Sequence, residues 1–245
     1  RYFNKQIALQ GVELKLNTRV TNEDLINSDF DEIILATGIQ PRVLKIEGIE
    51  HQKVLSYLDV LKFKKPVGKR VAVIGAGGIG FDVSEYLSHD GAAASQNIDT
   101  WLKEWGIDKS LEARSGIENV KTEFHPSPRE IFMFKRSKGK FGGNLGKTTG
   151  WIHRSTLKKK KVQFIGDVRY SKIDNQGLHY IQNEETKILE VDTIVICAGQ
   201  TPFKELHQPL INAGKTVHVI GGADFASELD AKRAINQGAR LAARL

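Results

Sequence analysis

Residues 70–80 read Arg70-Val71-Ala72-Val73-Ile74-Gly75-Ala76-Gly77-Gly78-Ile79-Gly80. The first five, Arg70 to Ile74, form an almost wholly apolar run rich in Val and Ile. Such a run predicts a strand buried on both faces, the habit of parallel sheets. The last six fit G-x-G-x-x-G, and an apolar helix is expected over Gly80 to Ser88. The spacing has a mechanical meaning. Gly75 permits a tight turn, Gly77 a close backbone approach to a diphosphate, and Gly80 close packing of helix on strand. The helix N-terminus adds free N–H groups and partial positive charge. A buried strand before and a helix after are the context the motif requires. Gly75, Ala76, Gly77, Gly78, Ile79 and Gly80 are therefore the expected contacts to a dinucleotide.

In such a motif an acid about 20 residues on bonds the adenosine ribose. Here that interval falls in a stretch without clean period, Gly91 to Arg129, which reads as an insertion. The next strand, Ile131 to Lys135, ends in Lys135-Arg136 with no acid. Cations at that strand end suit a 2′-phosphate, which favours NADPH over NADH. Arg136 is the better candidate because a guanidinium grips phosphate through two parallel bonds; Lys138 is a weaker one.

Working outward, Arg1 to Gln10 reads as a helix stopped by Gly11. Arg1 is not an initiator Met, so sequence upstream is expected. Val12, Leu14 and Leu16 alternate with polar residues and predict a half-buried strand. Thr21 to Asn27 reads as a short helix or turn. Glu32 to Thr37 is a continuous apolar strand closed by Gly38, and Asp192 to Ala198 another closed by Gly199. Ile39 to Lys69 reads as a crossing between domains, with one possible helix at Ser56 to Leu61. A Gly-rich loop, Gly139 to Gly150, precedes a helix at Trp151 to Lys160. Short strands around 162–165, 168–173 and 178–181 suggest an antiparallel piece. A last strand is expected at Thr216 to Ile220. A last helix is expected at Glu228 to Leu245, with Leu229, Ala231, Ala234, Ile235 and Leu241 on its apolar face.

Composition narrows the class. The 245 residues are 40% hydrophobic and 27% charged, which suits one large or two ordinary globular domains. No apolar run approaches the roughly 20 residues of a membrane span, and no signal peptide is visible. The formal charge is +7. Its densest run, Lys158 to Lys161, reads as a solvated helix end. Aromatics do not interleave with the cations, so neither nucleic acid nor membrane is an expected partner. The histidines show no metal spacing. Cys197 is the single cysteine, which excludes an internal disulfide and a dithiol enzyme and agrees with a cytoplasmic setting.

The order of these signals resembles the two-dinucleotide-binding flavoproteins. Ala36-Thr37-Gly38 precedes the glycine turn; Ala198-Gly199 and Val219-Ile220-Gly221-Gly222-Ala223-Asp224 follow it. The resemblance implies an α/β fold in which a Rossmann-like NAD(P)-binding domain is inserted in a truncated FAD-binding domain. Residues 1–65 and 202–245 would form the partial FAD-binding domain. Residues 66–201 would form the NADPH-binding domain, with its insertion at 91–129. The chain would cross between domains at Ala36-Thr37-Gly38 and Ala198-Gly199. Asp224 would contact the FAD ribityl chain, with Gly222 and Ala231 near it. The backbone of Val20 would lie at the adenine end of FAD. The departure is Gly-Gly-Ala-Asp in place of an adjacent Gly-Asp pair.

Further stretches narrow the resemblance. They are Ser56 to Leu61, Gly78 to Asp82, Ser95 to Ile98, Glu104 to Asp108, Gly146 to Arg154, and Glu228 to Ala231. They are similar to the bacterial NADPH-dependent 2,4-dienoyl-CoA reductases, which act in β-oxidation of unsaturated fatty acids. That family implies an upstream FMN barrel, a 4Fe-4S cluster domain and a dienoyl-CoA substrate bound in the barrel. The first FAD glycine motif would also lie upstream. Two alternatives stand beside it: a reductase of the trimethylamine-dehydrogenase or enoate-reductase type, and a nucleotide-binding module without electron transfer. Cofactor chemistry of this kind requires no catalytic acid or base among these residues. Lys147, His153 and Arg154 are read either as a phosphate clamp or as packing and capping.

Overall fold

The computed structural model describes residues 1–227 and 231–245. The chain forms two compact units: a split unit of residues 1–40 with 200–245, and an inserted unit of residues 41–199.

The split unit opens with α1 (Tyr2–Leu9), α2 (Asn22–Ile26), β1 (Glu32–Leu35) and the short β2 (Ile39–Pro41), which leads out of it. A capping box starts α2: Thr21 and Asp24 bond each other's backbone N–H.

The inserted unit follows with β3 (Val54–Ser56), α3 (Tyr57–Leu61), β4 (Arg70–Ile74), α4 (Gly78–Leu87), α5 (Ile98–Trp105), β5 (Glu130–Lys135) and α6 (Gly150–Lys159). It continues with β6 (Gln163–Gly166), β7 (Arg169–Asp174), β8 (Gly177–Gln182), β9 (Glu185–Leu189) and β10 (Thr193–Ile196). The chain then returns through β11 (Gln200–Pro202), which pairs with β2, to α7 (His207–Asn212), β12 (Thr216–Val219) and α8 (Ala231–Ala242). The expected start of the last helix at Glu228, and the apolar position Leu229, lie outside the described residues.

The heart of the inserted unit is a five-stranded parallel sheet in the order β3-β10-β4-β5-β6. Alternation along each strand divides its core in two. Val71, Val73, Ile131, Met133 and Val195 face the side where Phe81, Val83 and Leu87 of α4 and Leu157 of α6 pack. Ala72, Ile74, Phe132, Phe134 and Ile194 face the side of Leu178 and Tyr180 in β8. The second face is thus covered by an antiparallel sheet, β7-β8-β9. Both faces being covered explains why β4, β5 and β10 read as unbroken apolar runs. At the opposite end of the sheet from the glycine turn, the Asp192 carboxylate accepts N–H bonds from Lys69 and Arg70, each 2.8 Å, and its pKa is lowered by them.

The Rossmann-type expectation holds, and several details differ. The inserted unit begins at residue 41 and not 66, because β3 pairs in parallel with β10 and so belongs to its sheet. Residues 200 and 201 fall in the split unit. Val12 to Leu16 form no strand, and Val12, Leu14 and Leu16 are exposed. Alternation yields a strand only where a neighbour supplies ladder partners, and the described split-unit sheet holds only β1 and β12. In β1, burial is confined to Ile33 and Leu35, which pack with Leu210 of α7, while Ile34 is exposed. This strand was expected to be buried on both faces. Among the described residues no helix is long and apolar enough to cross a membrane.

Candidate dinucleotide site

β4 delivers the chain into a turn that only glycine fits at two places. Gly75 has φ +123°, and a Cβ there would stand 2.6 Å from the Cys197 carbonyl oxygen. A Cβ on Gly80 would stand 1.9 Å from the Gly75 carbonyl oxygen. These two glycines let turn, helix and neighbouring strand close on one another. Gly77 and Gly78 differ: a Cβ on either meets nothing within 4 Å. Their missing side chains leave open space next to the N-terminus of α4, where Gly77 caps without a side chain. Ile79 and Ala76 complete the turn, packed against the helix-side core. A ten-residue helix with no acid in its first turn presents N–H groups and positive potential to that space.

The space continues as a groove of about 820 Å³ lined by Gly75, Ala76 and Gly77, by Phe134 to Ser137, and by Val168 to Tyr170. Arg42, Leu44, Lys45 and Ile46 form another wall, and Cys197, Ala198 and Gly199 the floor beside the turn. Five cations line it: Arg42, Lys45, Lys135, Arg136 and Arg169. Among the described residues no carboxylate and no histidine does. A groove with one sign of charge, open glycine backbone and a helix N-terminus is built for an anion of dinucleotide size.

The expected 2′-phosphate cations separate in role. The Lys135 ammonium donates to the Lys138 and Lys140 carbonyls, at 3.1 and 2.9 Å, and ties down the loop after β5. Lys138 lies 3.5 Å from Asp167, a weak exposed pair. The Arg136 guanidinium has no hydrogen bond or ion pair among the described residues and lines the groove. Sequence reading missed Arg42, Lys45 and Arg169, which reach the groove from segments remote from the motif.

The Gly-rich loop is docked on the turn. Gly142 donates to the Ala76 carbonyl at 3.3 Å, and Arg154 of α6 donates to the Gly142 carbonyl at 3.1 Å. His153 Nδ1 lies 3.0 Å from Glu85 of α4, so this pair joins two helices. Of the two readings, packing describes His153 and Arg154; Lys147 is exposed. Cys197 is buried beside the turn, and burial pushes its thiol pKa far up, with the Asp82 carboxylate as a second cause.

In the split unit, the end of β1 and the end of β12 meet. A Cβ on Gly222 would stand 2.9 Å from Ile39 Cγ2 and 3.3 Å from the Gly38 carbonyl carbon. Thr37 Oγ1 donates to the Phe203 carbonyl, and Ala36 precedes it in the same exposed segment. Gln237 of α8 accepts from the Gly221 N–H and donates to Asp224 Oδ2, both at 2.8 Å. That holds the exposed Asp224 carboxylate at the end of β12. Ala231, the first residue of α8, is exposed, and Val20 lies exposed before α2. An exposed carboxylate beside glycine backbone fits a ribityl hydroxyl chain.

The family profile for pyridine nucleotide-disulphide oxidoreductases matches residues 2–223. A metal reductase of Desulforamulus reducens is 24% identical over 218 residues, 87% of this chain and 31% of that protein. A cinnamate reductase of Clostridium sporogenes is 27% identical over 215 residues, 87% of this chain and 27% of that protein. A solved complex of 2-naphthoyl-CoA reductase with 2-naphthoyl-CoA superposes on the whole chain and 31% of that protein, with TM-score 0.74 and 22% identity. The chain therefore spans about a third of the length of the proteins it matches.

Proposed function

The chain belongs to the pyridine nucleotide-disulphide oxidoreductase family, and on that premise we propose that its inserted unit holds NADPH while its split unit holds part of an FAD. When bound, NADPH supplies a hydride and FAD the ring that accepts it. The rest is positioning by this chain. The α4 N-terminus and the backbone of residues 75–80 hold the diphosphate. Arg136 takes the 2′-phosphate. Ala198 and Gly199, at the end of β10, form the wall beside which the nicotinamide lies. Gly38, Gly222 and Asp224 hold the middle of the flavin dinucleotide, with Val20 toward its adenine and Ala231 toward its diphosphate. No acid–base group is needed where a hydride passes, which suits a groove lined by neither carboxylate nor histidine among the described residues.

The observation that carries this reading is the open Cβ space at Gly77 and Gly78 beside a groove that, among the described residues, five cations and no acid line. The test is anaerobic titration of the full protein with NADPH and with NADH, following flavin absorbance. NADPH should bleach the flavin at concentrations about tenfold or more below NADH, and Arg136→Gln should abolish most of that preference. Equal affinities, or no bleaching by either, would refute it.

The finer proposal is an NADPH-dependent 2,4-dienoyl-CoA reductase. Its FMN barrel and 4Fe-4S domain would lie elsewhere in the polypeptide, and the dienoyl-CoA would bind in the barrel. The stretches from Ser56 to Arg154 quoted above support it, as does the small fraction of its relatives that this chain spans. The relative named cinnamate reductase favours a second reading, an enoate-reductase-type enzyme acting on a free acid. Turnover of a 2,4-dienoyl-CoA compared with the corresponding free acid distinguishes the two.

A further inference from the structure

We propose that Arg169 is a second specificity-determining residue, closing on the 2′-phosphate of the bound dinucleotide opposite Arg136. The inference rests on the reading of the groove as an NADPH site and adds a residue outside the glycine motif and its following strand end.

The placement follows from the sheet edge. β5 ends at Lys135, which pairs with Gly166, the last residue of β6. Arg136 therefore leaves β5 at the level where β6 stops. The chain then turns through Asp167, at φ +58°, and Val168, and β7 begins at Arg169. Two guanidinium-bearing residues thus start from adjacent strand ends. Both line the 820 Å³ groove beside the glycine turn, and both line a smaller adjoining recess of about 580 Å³. Burial raises the Tyr170 hydroxyl pKa, and the positive charge of Arg136 acts in the opposite direction. The Arg136 charge is thus felt at the Tyr170 hydroxyl.

Two lysines beside the arginines are engaged. Lys135 holds two loop carbonyls and Lys138 faces Asp167. Neither the Arg136 nor the Arg169 guanidinium has a hydrogen bond or ion pair among the described residues. Two guanidinium groups converging on one groove repel each other until a dianion lies between them. A phosphomonoester offers enough oxygens for both to bind in fork geometry. Asp167 and Glu184 also line the recess, but neither lines the groove.

The experiment measures dissociation constants of NADPH and NADH for the full protein, wild type, Arg169→Gln and Arg169→Lys, by rapid-reaction flavin reduction. Adenosine 2′,5′-bisphosphate and adenosine 5′-diphosphate serve as competitors. Arg169→Gln should weaken NADPH and the 2′,5′-bisphosphate about 10- to 100-fold while NADH and the 5′-diphosphate change by less than about twofold. Arg169→Lys should recover part of the loss. The unchanged NADH constant doubles as the control for folding. NADPH and NADH weakening together, or NADPH unaffected, would overturn the role of Arg169 alone. A wild type that binds both nucleotides equally would overturn the cofactor reading and this inference with it.

Discussion

Gly77 and Gly80 sit three residues apart in one motif, yet the structure assigns them opposite kinds of loss. An alanine at Gly80 puts its Cβ 1.9 Å from the Gly75 carbonyl oxygen and 2.9 Å from the carbonyl carbon. Relaxed non-bonded heavy atoms stay about 3.5 Å apart, so backbone must move by roughly 1.5 Å. The atom in the way is main chain of a turn already closed against Cys197, with no flexible side chain to yield. Overpacking costs about 1–3 kcal/mol and sometimes more; this geometry places Gly80→Ala at about 3 kcal/mol. For a chain of this size that lowers Tm by roughly 6–12 °C. An alanine at Gly77 meets nothing, and its φ −87°, ψ −172° suit any residue. The stability cost is that of replacing a glycine N-cap by alanine, about 0.5–1 kcal/mol. The methyl instead enters the space assigned to the diphosphate, and NADPH affinity should fall about tenfold or more. Scanning calorimetry and NADPH titration on both variants of the full protein read the two effects. A Gly77→Ala protein with wild-type NADPH affinity, or a Gly80→Ala protein with wild-type Tm, would refute the reasoning.

Two other expectations follow from local chemistry. Asp59 closes the capping box of α3 and pairs with Lys65 at 2.6 Å; these bonds, Lys65 first, lower its pKa from 3.8 to about 2. A depressed carboxylate stabilises the fold above its unfolded pKa and ceases to as pH falls through the folded one. Asp59→Asn should therefore cost about 1–2 kcal/mol at pH 7, a deficit that shrinks below pH 4, measured by urea unfolding at a series of pH values. A deficit independent of pH down to 3 would contradict the assignment. Cys197, buried with a raised thiol pKa, should resist a thiol-specific disulfide reagent at pH 8 while folded and react once unfolded in guanidinium. Prompt modification of the folded protein would show that the thiol is accessible.

The strand–turn–helix at residues 70–87 was legible because its local demands coincide: buried strand, glycines at fixed spacing, apolar helix. The same holds for β5 and β10, whose unbroken apolar runs announce cover on both faces. β9 was not legible. Glu185, Thr186 and Lys187 make an edge strand with one side open, and polarity hides it. Val12 to Leu16 misled in the other direction, since alternation records a preference and not the presence of a pairing partner. β3, read as part of a crossing, joins the sheet through a parallel ladder to β10, a contact over 140 residues that no local pattern carries. The groove shows the same division. The glycine turn that lines it is one motif, while Arg42, Lys45 and Arg169 arrive from the start of the unit and from the antiparallel sheet. A cation at the first position of β7 was the only local hint.

The two ends of the inserted unit are stitched together: Arg42 donates its backbone N–H to the Gly199 carbonyl at 3.2 Å, and the side chain of Arg42 lies against Gly199. A module whose entry and exit share a doorway can be swapped, duplicated or lost by recombination without stretching the host chain across a gap. Loop-closure entropy at such a junction is small. The same stitch makes residues 41–199 a natural cassette, portable between hosts that offer a matching pair of neighbouring ends.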